Sequence, residues 1–485
     1  MIKQVFISSI ILSITANLYA SQDNPKQALK TNGQLIYQKQ KQVDNFSEMF
    51  KNGDFYGRLR NNNFYFEYNK PDSNHETQLV SGIGASMVYK SAIFKGFDFD
   101  TALYASQSYF DAKHIDNVAH LKASKDTLSR FEYVNTGSKS MAVIGQANIG
   151  YTVSKTNLRV GRQLVETFYT RSNDTKMIPN SFDGVVLRSH NLAKTNLTIA
   201  YLYKQKLRDH TSSHSVLMFG DANSSSSINP QWSENDDSAM HKGLTYSRLK
   251  AYGKDTDAPL IVLDGVNKSI KNLKINFSSY FVPQLLSQVM GEFNYTLPFD
   301  GFSITSGFRY IRQFDNGAGK VGGASIKNSG LDGYKDKNSL DSGMIGAKIV
   351  TKMNDYRVDI SYTGVFDKSD LVTPWRGFPT GGYTRSMGMY NWRANVKSYR
   401  IQLIKGANKK AIYTKPFIQT SILYIDGDKK KAETDSILYY AGIVQNIPQL
   451  ENLQYRLRVA YRNFIGDSSS VSDYIDSRFE LNYLF

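Results

Sequence analysis

The chain has 485 residues, a formal net charge of +16, 32 Tyr and 27 Phe, yet no Cys and only 11 Pro. The missing cysteines exclude disulfide staples and thiolate chemistry, so backbone pairing and packing must hold the fold together. The basic balance admits acidic partners such as nucleic acid, lipopolysaccharide or small anions, and abundant Tyr suits a boundary between water and lipid.

The first residues carry one charge, Lys3, then an apolar run from Val5 to Leu18, then Tyr19-Ala20-Ser21. A short apolar stretch followed by a small residue and polar sequence reads as a secretory signal over 1–20. Export, with no recognisable nucleic-acid module, removes nucleic acid from the expected partners. No later segment has a helix-length apolar run, so an exported chain is either soluble outside the cytoplasm or a barrel. Residues 21–53 are polar and rich in Gln and Lys. They are expected to form a mobile periplasmic lead, with a short amphipathic turn at 43–51.

From Asp54 the sequence breaks into alternating segments separated by turn residues, at 54–68, 77–90, 97–111, 141–153, 156–163, 182–190, 195–207, 258–267 and 272–282. The second half adds 287–297, 302–314, 341–352, 356–367, 395–406, 414–426, 434–446, 453–465 and 476–485. Links after even-numbered segments are short; those at 112–140, 164–181, 208–257, 315–340 and 368–394 follow odd-numbered ones and are long. Short turns on one side and long loops on the other are the mark of a transmembrane antiparallel barrel of about 18 strands, with short periplasmic turns and long extracellular loops. A β-sandwich has no reason to sort its loops by parity. The final segment agrees: Phe479, Leu481, Tyr483 and Phe485 share one face, as a lipid-facing strand requires.

Periodicity also assigns faces. In 453–463, Leu453, Tyr455, Leu457, Val459 and Tyr461 alternate with Gln454, Arg456, Arg458, Ala460 and Arg462. An Arg facing lipid near the midplane costs roughly 2–4 kcal/mol, so Arg456, Arg458 and Arg462 are assigned to the lumen. The same test turns Arg309, Arg357 with Asp359, and Arg400 inward, and it places Arg58 and Arg60 opposite Phe55 and Leu59. Apolar parity switches at 61–63 to Phe64, Phe66 and Tyr68, which predicts a bulge. Barrel closure would bring Arg58 and Arg60 near the arginines of 453–463, forming a basic stripe that passes anions from site to site. The alternative is that these arginines pair with Asp and Glu and only stiffen the wall.

So wide a barrel holds water unless something narrows it. The link at 164–181 is the candidate constriction, with Glu166, Tyr169, Arg171, Ser172, Asn173, Asp174 and Lys176 offered to the lumen; a plain surface loop is the alternative. The run Gly161-Arg162-Gln163, followed by Asp174 and Met177-Ile178-Pro179-Asn180-Ser181-Phe182-Asp183-Gly184, resembles the third-loop region of the OprD-family substrate-specific outer-membrane porins. Gly57 to Phe66 is similar to that family's first strand, and Pro374-Trp375-Arg376-Gly377-Phe378-Pro379-Thr380 with Tyr383-Thr384 to one of its later loops. The resemblance runs from about 43 to 485. It implies an 18-stranded monomer or homotrimer with an arginine ladder and an eyelet, admitting small carboxylate-bearing solutes. Arg58, Arg60, Arg456 and Arg458 take the ladder positions and 164–181 the eyelet. The long 208–257 loop, rich in Ser and Asn, has no counterpart in that pattern.

The seven histidines lie in or beside links, and no phosphate-loop or dinucleotide fingerprint occurs. His210 and His214 are four apart without a matching carboxylate pattern. The expected protein is therefore an outer-membrane channel, with no enzyme activity, cofactor or metal. Its partners are small anionic or zwitterionic solutes, with membrane lipid and lipopolysaccharide around it, and Glu166, Asp174 or Asp359 would hold a solute's cationic end. A weakly selective general porin, a barrel hydrolase and an adhesin are the competing readings.

Overall fold

A computed structural model describes residues 26–71, 77–111, 121, 127–218, 220, 237, 239–327, 331–406, 411–466 and 472–485. Eighteen long strands close into one antiparallel barrel. The first nine are β1 (Asp54–Tyr68), β2 (Gln78–Lys90), β3 (Phe97–Asp111), β4 (Ser140–Val153), β5 (Thr156–Gln163), β6 (Ser181–Ser189), β7 (Thr195–Lys206), β8 (Leu260–Asn267) and β9 (Leu273–Val282). The rest are β10 (Leu286–Pro298), β11 (Phe302–Asp315), β12 (Ser342–Met353), β13 (Tyr356–Val365), β14 (Lys397–Lys405), β15 (Phe417–Asp426), β16 (Ser436–Ile447), β17 (Leu450–Phe464) and β18 (Tyr474–Leu484). Each lies within a few residues of its sequence-predicted segment. Closure is by β18 on β1, registered from Tyr474↔Tyr68 to Leu484↔Arg58. Closing the sheet leaves no unpaired edge in hydrocarbon.

Side chains sort by parity as lipid demands. Along β17, Leu457, Val459 and Tyr461 are 40%, 37% and 37% exposed, whereas Arg458 and Ala460 are 7% and 1%. Phe479 on β18 and Phe485 just past its end are exposed, and the outer face elsewhere carries Ile360, Ile401, Ile422 and a large set of Tyr and Phe. Short turns accept residues that tolerate a left-handed backbone, such as Asn354 (φ 49°) between β12 and β13.

The expected bulge at 61–63 is not there. β1 pairs with β2 and with β18 through this stretch without a register shift. Phe64, Phe66 and Tyr68 consequently face inward, where they cluster with Tyr474. Asn61 and Asn63 face outward, the Asn61 amide donating to the Tyr109 hydroxyl at 2.8 Å and the Asn63 amide to Asn61 Oδ1 at 2.7 Å. The parity of apolar residues switches because the medium inside the barrel changes, not because the strand slips.

That medium is protein. The connections 164–180, 207–259, 316–341 and 366–396 bring Val165, Tyr169, Leu244, Leu249, Val321, Leu371, Trp375 and Trp392 into one core with wall residues such as Phe182, Leu202, Tyr280 and Ile311. The outer half of the lumen is thus partly filled by an apolar core, roughly 25 cal/mol stabilising each Å² removed from water.

Residues 26–43 depart from the expected mobile lead, whereas a short helix does lie within 43–51, where the amphipathic turn was expected. Gln27–Leu29 pairs with Leu35–Tyr37 as a hairpin, Gln42–Val43 pairs in parallel with Ile93–Phe94, and Phe46–Lys51 is a short helix capped by Asn45. The first strand of the hairpin is buried, Leu29 to 2%. It can be buried because its backbone pairs with Leu35–Tyr37 while the Gln27 side chain and the Leu29 carbonyl find partners on the barrel wall.

A candidate constriction inside the barrel

The segment 164–180 leaves β5, crosses the lumen and is tied down at β1. Arg58 Nη1 lies 3.0 Å from Asp174 Oδ2, and Arg60 Nη1 2.6 Å from Asp174 Oδ1. Arg60 also donates to the Met177 carbonyl at 2.7 Å, and the Asn62 amide to the Lys176 carbonyl at 2.9 Å. The arginine bonds among these are charge-assisted with little access to water, the stronger kind. The stretch that the sequence marks as a first-strand ladder is the anchor of the crossing loop.

A second loop meets it. The Arg171 N–H donates to the Trp375 carbonyl at 3.0 Å and the Gly377 N–H to the Tyr169 carbonyl at 3.0 Å. The 366–396 loop then runs across the lumen to β18, where the Tyr474 hydroxyl reaches Met389 Sδ. Arg309 braces it from β11: it pairs with Glu292, donates to the carbonyls of Pro379 and Gly381 at 2.7 Å each, and stacks on Tyr383 at 4.3 Å and Phe168 at 4.8 Å. The 207–259 connection joins through the Arg376–Asp237 ion pair and the Trp375 indole donating to the Val216 carbonyl at 2.5 Å.

Between these loops and the wall is a cavity of about 490 Å³. Its acidic lining is Glu166, Asp264 and Glu292; its basic lining is Arg171, Lys274, Arg309 and Arg376; Asn32 of the N-terminal hairpin also lines it. Asn173 lines it beside Glu166 and Arg171, which lie 3.3 Å apart. The Ser172 N–H donates to Glu166 at 2.8 Å, and its side chain is buried. Tyr169 does not face the cavity: it is 0% exposed, edge-on to Tyr280 in the apolar core. Lys176 is also buried, its ammonium 4.9 Å from the Phe64 ring.

The other sequence-predicted arginines face inward and have partners. Arg458 pairs with Glu480, and Arg456 lies 3.9 Å from the same carboxylate. Arg357 holds Asp359 at 2.6 Å, Arg462 donates to the Ser436 hydroxyl at 3.0 and 3.1 Å, and Arg400 donates to the Arg385 carbonyl at 2.7 Å. Registration puts Glu480 between Arg456 and Asn62, so an acidic side chain interrupts the wall where β17 and β1 were expected to share a stripe. The three acids expected to hold a cation all have arginine partners, Asp174 with Arg58 and Arg60, Asp359 with Arg357 and Glu166 with Arg171, and of the three Glu166 lines the cavity.

Periodicity alone did not single out Arg208, Arg376, Arg385 and Arg478. The inward parity of Arg478 and Glu480 was readable from the alternation of β18; the others sit in loops, where no period exists. Arg385 stacks on Phe378 at 4.3 Å, with Tyr390 and Trp392 beyond. Burial, together with the like charges of Arg478, Arg376 and Arg208, pushes its guanidinium down to about 10 against the opposing pull of Tyr390, so it stays charged at neutral pH. His210 and His214 touch at 2.8 Å in a buried pair, and no group of three or more potential metal ligands converges among the described residues.

A closed 18-stranded barrel with a lipid-facing apolar belt and a lumen narrowed by inward loops defines an outer-membrane porin. A family model described as outer membrane porin, OprD family, matches residues 54–336, and the chain belongs to that family, whose members are channels rather than enzymes. Among solved structures it is similar to OccK8 (OprE) of Pseudomonas aeruginosa, at 14% identity and a TM-score of 0.67, over 90% of this chain and 99% of that one. It is similar to OccAB2 of Acinetobacter baumannii at 18% and 0.66, again over 90% and 99%. OpdK of P. aeruginosa with vanillate gives 12% and 0.64, over the same shares. No curated protein sequence matches it.

Proposed function

We propose that this porin passes small carboxylate-bearing solutes, zwitterions among them, by offering basic groups to the carboxylate and acidic groups to the cation within one constriction. The observation that carries the reading is the mixed charge of the cavity lining, where the acids Glu166 and Asp264 stand among the bases Arg171, Lys274 and Arg376. On the 366–396 loop, Arg385 with Arg478, Arg376 and Arg208 around it adds a second basic cluster that can draw a carboxylate. The paired arginines of β17 make the wall stiff as well as basic, and a solute carboxylate can exchange with Glu480 at Arg456. Vanillate in the similar OpdK structure is a ligand of the same class. The competing reading, a weakly selective porin, draws support from the ion pairs that neutralise much of the wall.

Bilayer recording under a salt gradient separates them. Replacing Arg171 and Arg385 with Gln is expected to move the reversal potential toward cations and to slow entry of acidic and zwitterionic amino acids into loaded vesicles, leaving an uncharged sugar of similar size unaffected. Replacing Arg456, Arg458 and Arg462 with Gln tests the wall separately. If neither set moves the ion preference, selection by the basic groups is wrong and the general porin stands. The effect should fade as salt shortens the screening length, roughly 8 Å at physiological ionic strength.

A further inference from the structure

The N-terminal hairpin occupies part of the passage. Its side chains and backbone are bound to the seam where β18 meets β1. The Gln27 amide donates to the carbonyls of Gly57 at 2.7 Å and Phe485 at 3.1 Å, and the inward Gln454 amide donates to the Leu29 carbonyl at 3.1 Å. The Thr31 N–H donates to the Tyr413 hydroxyl at 3.2 Å, and Tyr37 packs on the inward Tyr56 with ring centroids 4.7 Å apart. At the turn, Gly33 has φ +84°, and a Cβ there would stand 2.0 Å from the Asp174 carbonyl oxygen. The tip is therefore in close contact with the crossing loop at the residue that Arg58 and Arg60 clamp. Asn32, beside it, is exposed and lines the constriction cavity. Residues 27–37 also lie outside the segment matched by the family model.

We propose that the hairpin is a third element of the constriction: it fills the seam side of the lumen below the crossing loop, sets the gauge of the pore, and presents Asn32 as a lining residue. Solutes are thereby displaced from the wall of Arg58 and Arg60 toward the wall of Asp264, Glu292 and Arg309. This requires only that the protein conduct ions, so it stands or falls separately from the carboxylate reading.

The native chain has no Cys, so Asn32→Cys supplies a single thiol in the full-length pore. In bilayers with potassium chloride, a cationic methanethiosulfonate is expected to shift the reversal potential toward anions and an anionic one toward cations, each lowering the current. Gly33→Val, which cannot keep the tip against Asp174, and deletion of 27–37 are expected to raise conductance several-fold and broaden the solute size admitted. Complete modification at position 32 with unchanged current would overturn the proposal. So would a thiol that reagent from either side cannot reach, or a hairpin deletion that conducts like the parent.

Discussion

Asp174 holds two guanidinium groups at 3.0 and 2.6 Å while the tip of the N-terminal hairpin presses on its carbonyl. A carboxylate is needed there because two buried like charges without an anion between them are costly, and breaking such a pair by removing one partner costs roughly 3–5 kcal/mol. Asp174→Asn is therefore expected to release the crossing loop. Single channels should become wider and noisier and the reversal potential should move toward anions, because Arg58 and Arg60 are uncovered together. A variant with parental conductance and ion preference would show that the clamp does not position the loop. This residue also marks a limit of sequence reading. Alternation turned Arg58 and Arg60 inward, but their partner lies 116 and 114 residues away in a loop, and no local pattern reports such a pairing.

The 207–259 connection depends on a different device. His241 is buried, its Nε2–H donating to the Gly323 carbonyl at 2.9 Å and its Nδ1 accepting from the Gly243 N–H at 3.1 Å. Both ring nitrogens are thus used by one neutral tautomer, and a second proton on Nδ1 would oppose the Gly243 N–H. Burial pushes the His241 pKa down to about 4, with Arg248 adding to the shift and Asp315 opposing it, and burial lowers His214 as well. The unfolded loop then takes up the proton first as pH falls. The contribution to stability is complete above the ordinary histidine value of about 6.5 and is lost as pH falls from there toward 4. Limited proteolysis within 208–257 should accelerate across that window, and His241→Gln, which does not titrate, should flatten part of the rise. A rate independent of pH would refute the mechanism. Loop lengths disclosed that this connection was large, and they marked 164–181 as able to reach the lumen. Length gives reach and not direction, so the joint crossing with 366–396 and the inserted hairpin emerged only from the fold.

For the whole molecule, the rule that apolar residues face lipid holds only where the inside of the barrel is polar. It read β17 and β18 correctly because their inner faces carry Arg456, Arg458 and Glu480. It failed at Phe64, Phe66 and Tyr68, because there the interior is packed protein and an inward ring is as well buried as an outward one. The partition itself can be tested in the middle of β14. Ile401 registers with Ile360 on one side and Ile422 on the other, a row of outward isoleucines, while Gln402 next to it faces Asp359 and Ser421 in the lumen. Ile401→Arg is expected to lower the free energy of unfolding in lipid vesicles by roughly 2–4 kcal/mol, the cost of a guanidinium near the midplane. Gln402→Lys, one position on, should cost less, about 1 kcal/mol, because its ammonium faces the lumen beside the Arg357–Asp359 pair and not hydrocarbon. Fluorescence of the buried Trp375 and Trp392 follows both in urea. Equal losses at the two positions would mean that β14 does not divide hydrocarbon from lumen, and the inward assignment of Arg400 would fall with it.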